Sequence, residues 1–332
     1  MRVLLAIDGS ACSDRARDLV AGIDWPPGSV IRVVAALERG PALFGVPWLA
    51  VTPVESADIE AAMAADLERA LAVAATRLER PDRSVERELL RGRPASAIVE
   101  EAGRCRADLV VVGGRGHGTL ESMLLGSTSA EIVDHAPCPV LVARGDRLNR
   151  IVLAEDGSAG AAAARDVLRT WPIFAAHPAV AVSISEVPLP FDPGLAPGMY
   201  GAMLESFGEA RDQATRLHLE LARRSAAELT EAGLACEAEA HEGDPAAQLL
   251  RLADERGAGL LVVGTRGRTG LTRLFLGSVA RNVLLHAHCS VLVVHAPKAR
   301  PHDAPSTAEE RSAADPGPGI PTPAGQSTAG PR

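Results

Sequence analysis

A chain of 332 residues is longer than one hydrophobic core usually serves, and its 47% hydrophobic content is that of an ordinary globular protein. Its formal charge of -8, from 42 acidic against 34 basic residues, and its 3% aromatic content argue against a nucleic-acid partner, whether held on a basic face or on a stacking platform. The run from Met1 to Asp8 is too short and too polar at its end for a secretory signal, no stretch approaches a membrane span, and five cysteines without a CxxC pair suit reduced thiols in a cytoplasm.

In chain order, short β-branched apolar runs alternate with longer helical patterns. Strands are expected near residues 2–7, 29–36, 84–90, 108–113 and 139–143, with helices near 11–21, 55–80, 94–105 and 126–135. The series then repeats, with strands near 150–154, 179–185, 235–241, 259–264 and 290–294 and helices near 159–169, 203–232, 245–256 and 277–286. Such alternation predicts an α/β fold, a parallel sheet with helices on both faces. Ser10 and Ser158 stand where an N-cap oxygen is needed, and Pro94 and Pro245 suit a first helical turn. Pro137 and Pro139 suit the start of an edge strand.

The second series is a copy of the first. Val3-Leu4-Leu5-Ala6-Ile7-Asp8-Gly9-Ser10 matches Ile151-Val152-Leu153-Ala154-Glu155-Asp156-Gly157-Ser158, and Cys138-Pro139-Val140-Leu141-Val142 matches Cys289-Ser290-Val291-Leu292-Val293. A repeat this long is a duplicated domain, expected over 1–146 and 147–297. Proline-rich loops are expected at 39–54 and 186–198, where Phe44, Trp48, Phe191 and Tyr200 read as packing residues rather than a lid. Residues 298–332, rich in Pro, Ala, Gly, Ser and Thr, read as a disordered tail.

Each half carries one further signature. Gly113-Gly114-Arg115-Gly116 is followed nine residues later by Gly126-Ser127, and Gly264-Thr265-Arg266-Gly267 nine residues later by Gly277-Ser278. Glycines leaving a strand, with Gly-Ser opening a helix, suit a cradle of backbone N–H groups around a phosphate. The pattern is not a Walker A loop, since no lysine follows the glycines. It is not a dinucleotide fingerprint, since it follows the fourth strand rather than the first, nor a kinase loop. In a doubly wound sheet strands one and four are neighbours at the switch point, so Asp8 should meet Gly113 and Asp156 should meet Gly264 in one crevice each. Purely structural readings compete: glycines supplying φ > 0, aspartates capping helices, and Arg115 and Arg266 facing water. His135, His286 and His288 beside Cys138 and Cys289 are better read as helix-end and core residues than as metal ligands. No Ser/His/Asp set justifies a catalytic assignment.

On these motifs each half resembles a universal stress protein domain, and residues 1–297 are similar to a tandem universal stress protein of the ATP-binding kind. The resemblance implies two doubly wound, Rossmann-like sheets of five parallel strands, whose edge strands Val140-Leu141-Val142 and Val291-Leu292-Val293 pair between domains as an intramolecular pseudo-dimer. It implies ATP as ligand, with Mg²⁺ able to accompany the phosphates. Asp8, Gly113, Gly116, Gly126 and Ser127 would form one site, and Asp156, Gly264, Gly267, Gly277 and Ser278 the other. A second-strand backbone position near Ala35 and Ile184 would line the base. Two departures stand out. Gly114 occupies the place of Thr265, and Glu155 that of Ile7. An extra carboxylate there would repel a triphosphate, hold Mg²⁺ or, the favoured reading, sit solvated at the strand end. The expected role is a nucleotide-responsive stress or signalling module read by an unidentified protein partner. A weak ATPase or nucleotidyl-transfer enzyme using Glu155 or Asp156, and a scaffold with relic loops, are the alternatives. Association of two chains into a homodimer is left open.

Overall fold

The fully apolar runs sit where a strand is walled on both sides, and the charged ones at the margins. The computed structural model describes residues 1–38, 53–114, 125–186, 200–265 and 276–295, with backbone alone for 53–56 and 200–207. The first half runs β1 (Arg2–Ala6), α1 (Ala11–Gly22), β2 (Ser29–Leu37), α2 (Pro53–Leu78), β3 (Arg83–Arg91), α3 (Pro94–Arg104), β4 (Leu109–Gly113), α4 (Ser127–His135) and β5 (Val140–Ala143). The second runs β6 (Ile151–Ala154), α5 (Ala159–Thr170), β7 (Ala179–Ser185), α6 (Tyr200–Glu231), β8 (Cys236–Glu242), α7 (Pro245–Glu255), β9 (Leu260–Gly264), α8 (Ser278–His286) and β10 (Ser290–Val294). The expectations for Phe44, Trp48, Phe191, Arg115, Gly116, Arg266, Gly267, the Tyr200 side chain and the tail 298–332 lie outside the described residues.

All ten strands form one sheet in the order β3-β2-β1-β4-β5-β10-β9-β6-β7-β8. Every neighbouring pair is parallel except β5 with β10, which are antiparallel, with Val142 opposite Val291, Leu141 opposite Leu292 and Val140 opposite Val293. The two five-stranded halves and their paired edges are therefore as expected. Pro139 accordingly precedes a strand in the middle of the sheet. Its missing N–H falls before the ladder begins, and its carbonyl accepts from Val110 N at 3.0 Å. β4, β5 and β10 are buried along their length, as continuous Val/Leu runs require. The true edges, β3 and β8, carry Glu86, Arg87, Glu88, Glu237 and Glu239, charges that discourage pairing with another chain.

Alternation along the strands builds two cores. Val3, Leu5, Ile31, Val33 and Ala35 face one side with Leu19 of α1, Leu71 and Leu78 of α2, Leu168 of α5 and Leu229 of α6. Leu4, Ala6, Val110 and Val112 face the other with Ile98 of α3, Ile132 of α4, Leu252 of α7 and Val283 of α8. Ser10 and Ser158 cap α1 and α5, accepting from Ser13 N at 3.3 Å and Ala161 N at 3.1 Å.

The seam between the halves is clasped reciprocally. Arg144, just past β5, donates through Nη2 to the Leu284 carbonyl near the end of α8, and His295, just past β10, donates through Nε2 to Val133 O of α4 at 2.9 Å. Each helix C-terminus thus receives a donor from the opposite half, and burial draws the Arg144 pKa below its ordinary value.

All five cysteines are free. Burial pushes the Cys138 thiol up to about 12 and that of Cys289 to about 11, because a thiolate there would lose its solvation. Both thiols are therefore expected to resist a disulfide reagent at pH 8 until the protein unfolds, as timed labelling with and without denaturant would register. Because the folded thiols hold their protons above the ordinary value of 9.0, their contribution to stability is complete below that pH. It is lost as pH rises through the folded values.

Candidate functional site at the carboxyl ends of the strands

β1 pairs with β4, and β6 with β9, so the residues leaving these strands emerge side by side. The turn after β1 is closed by Asp8, whose Oδ1 accepts from Ser10 N at 2.9 Å across Gly9, held at φ 78°. Asp156 Oδ1 does the same for Ser158 N at 2.9 Å across Gly157 at φ 77°. These are Asx turns, and left-handed backbone is why glycine occupies the middle. The aspartates therefore shape the turn while the serines cap the helix.

Gly113 and Gly264 are small for a different reason. Neither belongs to the positive-φ glycines among the described residues. A Cβ on Gly113 would lie 2.8 Å from Cys12 C and O, and one on Gly264 would lie 2.4 Å from Gly160 C. The helix following strand one thus presses its backbone onto the end of the neighbouring strand.

The chain returns at the second glycine pair. Gly126 N donates to Gly114 O at 3.0 Å, and Gly277 N to Thr265 O at 2.8 Å, closing both loops at their base. Gly126 and Gly277 are themselves the N-caps of α4 and α8, without any side-chain cap. Ser127 and Ser278 are the first helical residues, so each Gly-Ser pair opens its helix as expected. Helix geometry leaves the leading N–H groups without intrahelical partners, and the helix dipole adds positive character there.

In the second half these groups surround a cleft of about 460 Å³. Asp156, Ile184, Gly264, Gly277 and Ser278, five of the residues singled out from the sequence, all line it, together with Thr265, His218 and Glu186. Gly267 lies outside the described residues. In the first half Gly113 is joined to α4 by Ser129 Oγ, which donates to its carbonyl at 2.8 Å. Asp8, Gly113, Gly126 and Ser127 occupy the corresponding strand ends and helix start, and Gly116 lies outside the described residues.

Two expectations need correcting. Ala35 and Ile184 are not equivalent. Ala6 is in register with Val34 and Ala154 with Val182, so Ile184 corresponds to Ala36 and Ala35 to Ser183. The Ala35 side chain belongs to the core on the opposite face from that of Ile184. Nor is Glu155 solvated. It is 4% exposed, and Oε1 accepts from Gly157 N at 2.8 Å. Oε2 accepts from Ser225 Oγ at 2.5 Å and lies 3.4 Å from Arg165 Nη1. Arg165 Nε in turn pairs with Glu228 at 2.8 Å. The matching Ile7 points into the same core, so this carboxylate follows the strand's alternation toward α5 and α6.

Sequence reading missed His218, on α6, and Ser183, fully buried on β7, whose Oγ lies 2.8 Å from His218 Nδ1. Strand register combined with the internal repeat would have found the pair. His135 Nδ1 bonds Glu131 O at 2.9 Å and His288 pairs with Asp254 at 3.1 Å. Among the described residues no three His, Cys, Asp or Glu side chains are grouped to hold a metal. No described helix is long and apolar enough to cross a membrane.

The model of the universal stress protein family matches twice, over residues 1–144 and 148–295. A universal stress protein of Thermus aquaticus is 39% identical over 142 residues, covering 43% of this chain and 97% of its own. One from Mycobacterium bovis is 29% identical over 231 residues, covering 63% and 68% respectively. The crystal structure of a universal stress protein from Archaeoglobus fulgidus shares the fold at a TM-score of 0.61 and 18% identity, covering 89% of this chain and 98% of that one.

Proposed function

We propose that this chain, which belongs to the universal stress protein family through both of its halves, binds ATP at the carboxyl ends of its strands and offers the bound state to a protein partner. The observation that carries the reading is the second-half cleft. At about 460 Å³ it falls in the range of small-molecule sites, and it gathers Asp156, Gly264, Gly277 and Ser278 from three separate elements. The α8 N-terminus, free of a side-chain cap, supports an anionic group there. The equivalent residues Asp8, Gly113, Gly126 and Ser127 would serve a second nucleotide, with Gly116 and Gly267 completing the two loops. Mg²⁺ would travel with the phosphates. Five free thiols agree with a reducing compartment such as the cytoplasm.

A binding module is favoured over an enzyme by one specific observation. Of the two carboxylates the enzyme reading drew on, Glu155 is engaged by Arg165, Ser225 and the Gly157 amide, and Asp156 accepts through Oδ1 from the Ser158 amide.

Protein purified without added nucleotide, then denatured, should release adenine nucleotide on chromatography. After extensive dialysis, ATP with Mg²⁺ should produce heat in calorimetry. At 100 times Kd it should add about 2.7 kcal/mol of apparent stability per site. No nucleotide released, no heat and no shift in unfolding temperature would overturn the reading.

A further inference from the structure

The seam does not treat the two halves alike. Gly113 leaves β4 beside Ala143, and Gly264 leaves β9 beside Val294, so Arg144 and His295 occupy equivalent places, as do Gly114 and Thr265. The first half therefore pairs a glycine with an arginine where the second pairs a threonine with a histidine. The arginine explains the glycine. A Cβ on Gly114 would lie 3.3 Å from Arg144 Cγ and 3.4 Å from Nε, closer than most such contacts. Arg144 thus fills the space beside the start of the first glycine loop, where the Gly114 carbonyl accepts from Gly126 N at the N-terminus of α4.

The same residue is anchored on the other half. Nη2 donates to Leu284 O in the last turn of α8. Arg144 N and Gly145 N donate to Ser290 Oγ at 3.1 and 3.3 Å. Ser290 is fully buried at the start of β10, and its counterpart is Pro139, which offers the opposite clasp no hydroxyl. The more heavily bonded clasp therefore runs from the first loop to α8. Arg144 Nη1 is buried and has no hydrogen-bond partner among the described residues. An unmet donor on a buried cation costs stability, so local packing alone does not account for the placement.

The two ends of this contact are the two clefts. On one side Gly114 and Gly126 close the base of the first loop. On the other, Ser278 opens the helix that Leu284 helps to end, with about 9 Å of helix between them. So short a helix shifts as a unit. From this we infer that Arg144 is a positioning residue shared by both clefts: nucleotide held in the first half fixes Arg144, Arg144 fixes α8, and the second cleft then binds its own nucleotide more tightly. The sign is positive because the first ligand orders contacts that the second would otherwise have to order. The inference rests on the nucleotide-binding reading in both halves and deepens it.

Ser127→Glu and Ser278→Glu each close one cleft to anions by like charge, at exposed first helical positions where an acidic residue suits the dipole. In calorimetry on the full chain, ATP with Mg²⁺ should bind the second cleft about 5-fold more weakly in Ser127→Glu than in the parent. With Arg144→Met in both backgrounds that difference should vanish. In Ser278→Glu, where only the first cleft fills, ATP should slow hydrogen exchange in the last turn of α8, and Arg144→Met should abolish the slowing. Arg144→Lys, which keeps a cation able to reach Leu284 O, should retain part of both effects. If Arg144→Met is too unstable to purify, Ser290→Ala, which removes the seat of the Arg144 backbone, should reduce them. Equal second-cleft affinity with and without Ser127→Glu, α8 exchange indifferent to ATP in Ser278→Glu, or either effect surviving Arg144→Met would overturn the inference while leaving nucleotide binding standing. So would a parent that binds one nucleotide only. A parent that binds none would overturn both.

Discussion

Gly264→Ala is expected to lower the stability of the protein by about 3 kcal/mol, the upper end of the usual cost of over-packing. The added methyl would be built 2.4 Å from Gly160 C, 2.7 Å from Gly160 O and 2.8 Å from Ala161 N. These are backbone atoms of the first turn of α5, so no side-chain rotation relieves the clash and the helix must move away from β9. That turn is held by the Ser158 cap and the Asp156 turn, so the displacement also opens the cleft. Gly113→Ala meets Cys12 C and O at 2.8 Å and should follow the same course with a smaller loss. Gly103→Ala, near the end of α3 with nothing within 4 Å of the new methyl, is the control. It should be neutral or stabilise by about 0.5–1 kcal/mol through helix propensity. Urea titration of the three variants measures the ordering. Gly264→Ala with an unchanged midpoint would mean that strand and helix are not in contact as described.

The same two glycines mark how far sequence reading reaches. Their spacing and their place after strand four were legible, because strand, turn and helix signals are local and the duplication presents each twice. The reason for the residue type was not legible, since it lies in a contact with a helix start about a hundred residues earlier in the chain. Topology followed from the alternation of elements. β5 and β10 met as expected because each leaves a continuous apolar edge that must be covered. Positions within strands were harder. Pairing Ala35 with Ile184 was off by one, and a shift of one residue exchanges the two faces of a strand. Ser127 and Ser278 open their helices as the Gly-Ser pairs implied, with the glycines before them as N-caps. Glu155 was misread because charge suggests solvent, whereas its register with Ile7 pointed to the core. Its compensating partners, Arg165 and Ser225, lie 10 and 70 residues away.

Those partners make a double-substitution cycle the most informative measurement on the second half. Arg165→Met should destabilise the protein by about 3–5 kcal/mol, because it strips the cation from Glu155, which is 4% exposed. Ser225 Oγ and the Gly157 amide would remain, but neither supplies charge. The first half shows the other solution. Ile7 occupies the Glu155 position and Ala74 that of Ser225, both buried, while Arg17 turns to Asp14 at 2.7 Å and to Asp18 at 3.1 Å. Glu155→Ile with Ser225→Ala should therefore be close to neutral, or stabilising by up to a few kcal/mol, since well-packed apolar groups replace a desolvated ion pair. Arg165 would keep Glu228 in that background. Arg165→Met added to the double variant should then cost under about 1 kcal/mol, the value of an ion pair at the surface. The difference between the two costs of Arg165→Met is the coupling assigned to the buried carboxylate. If Arg165→Met cost the same in both backgrounds, its role would be packing by the arginine stem and not neutralisation of Glu155. On the proposed nucleotide binding, ATP affinity should change little across the cycle, because the Glu155 carboxylate is held by Arg165, Ser225 and the Gly157 amide.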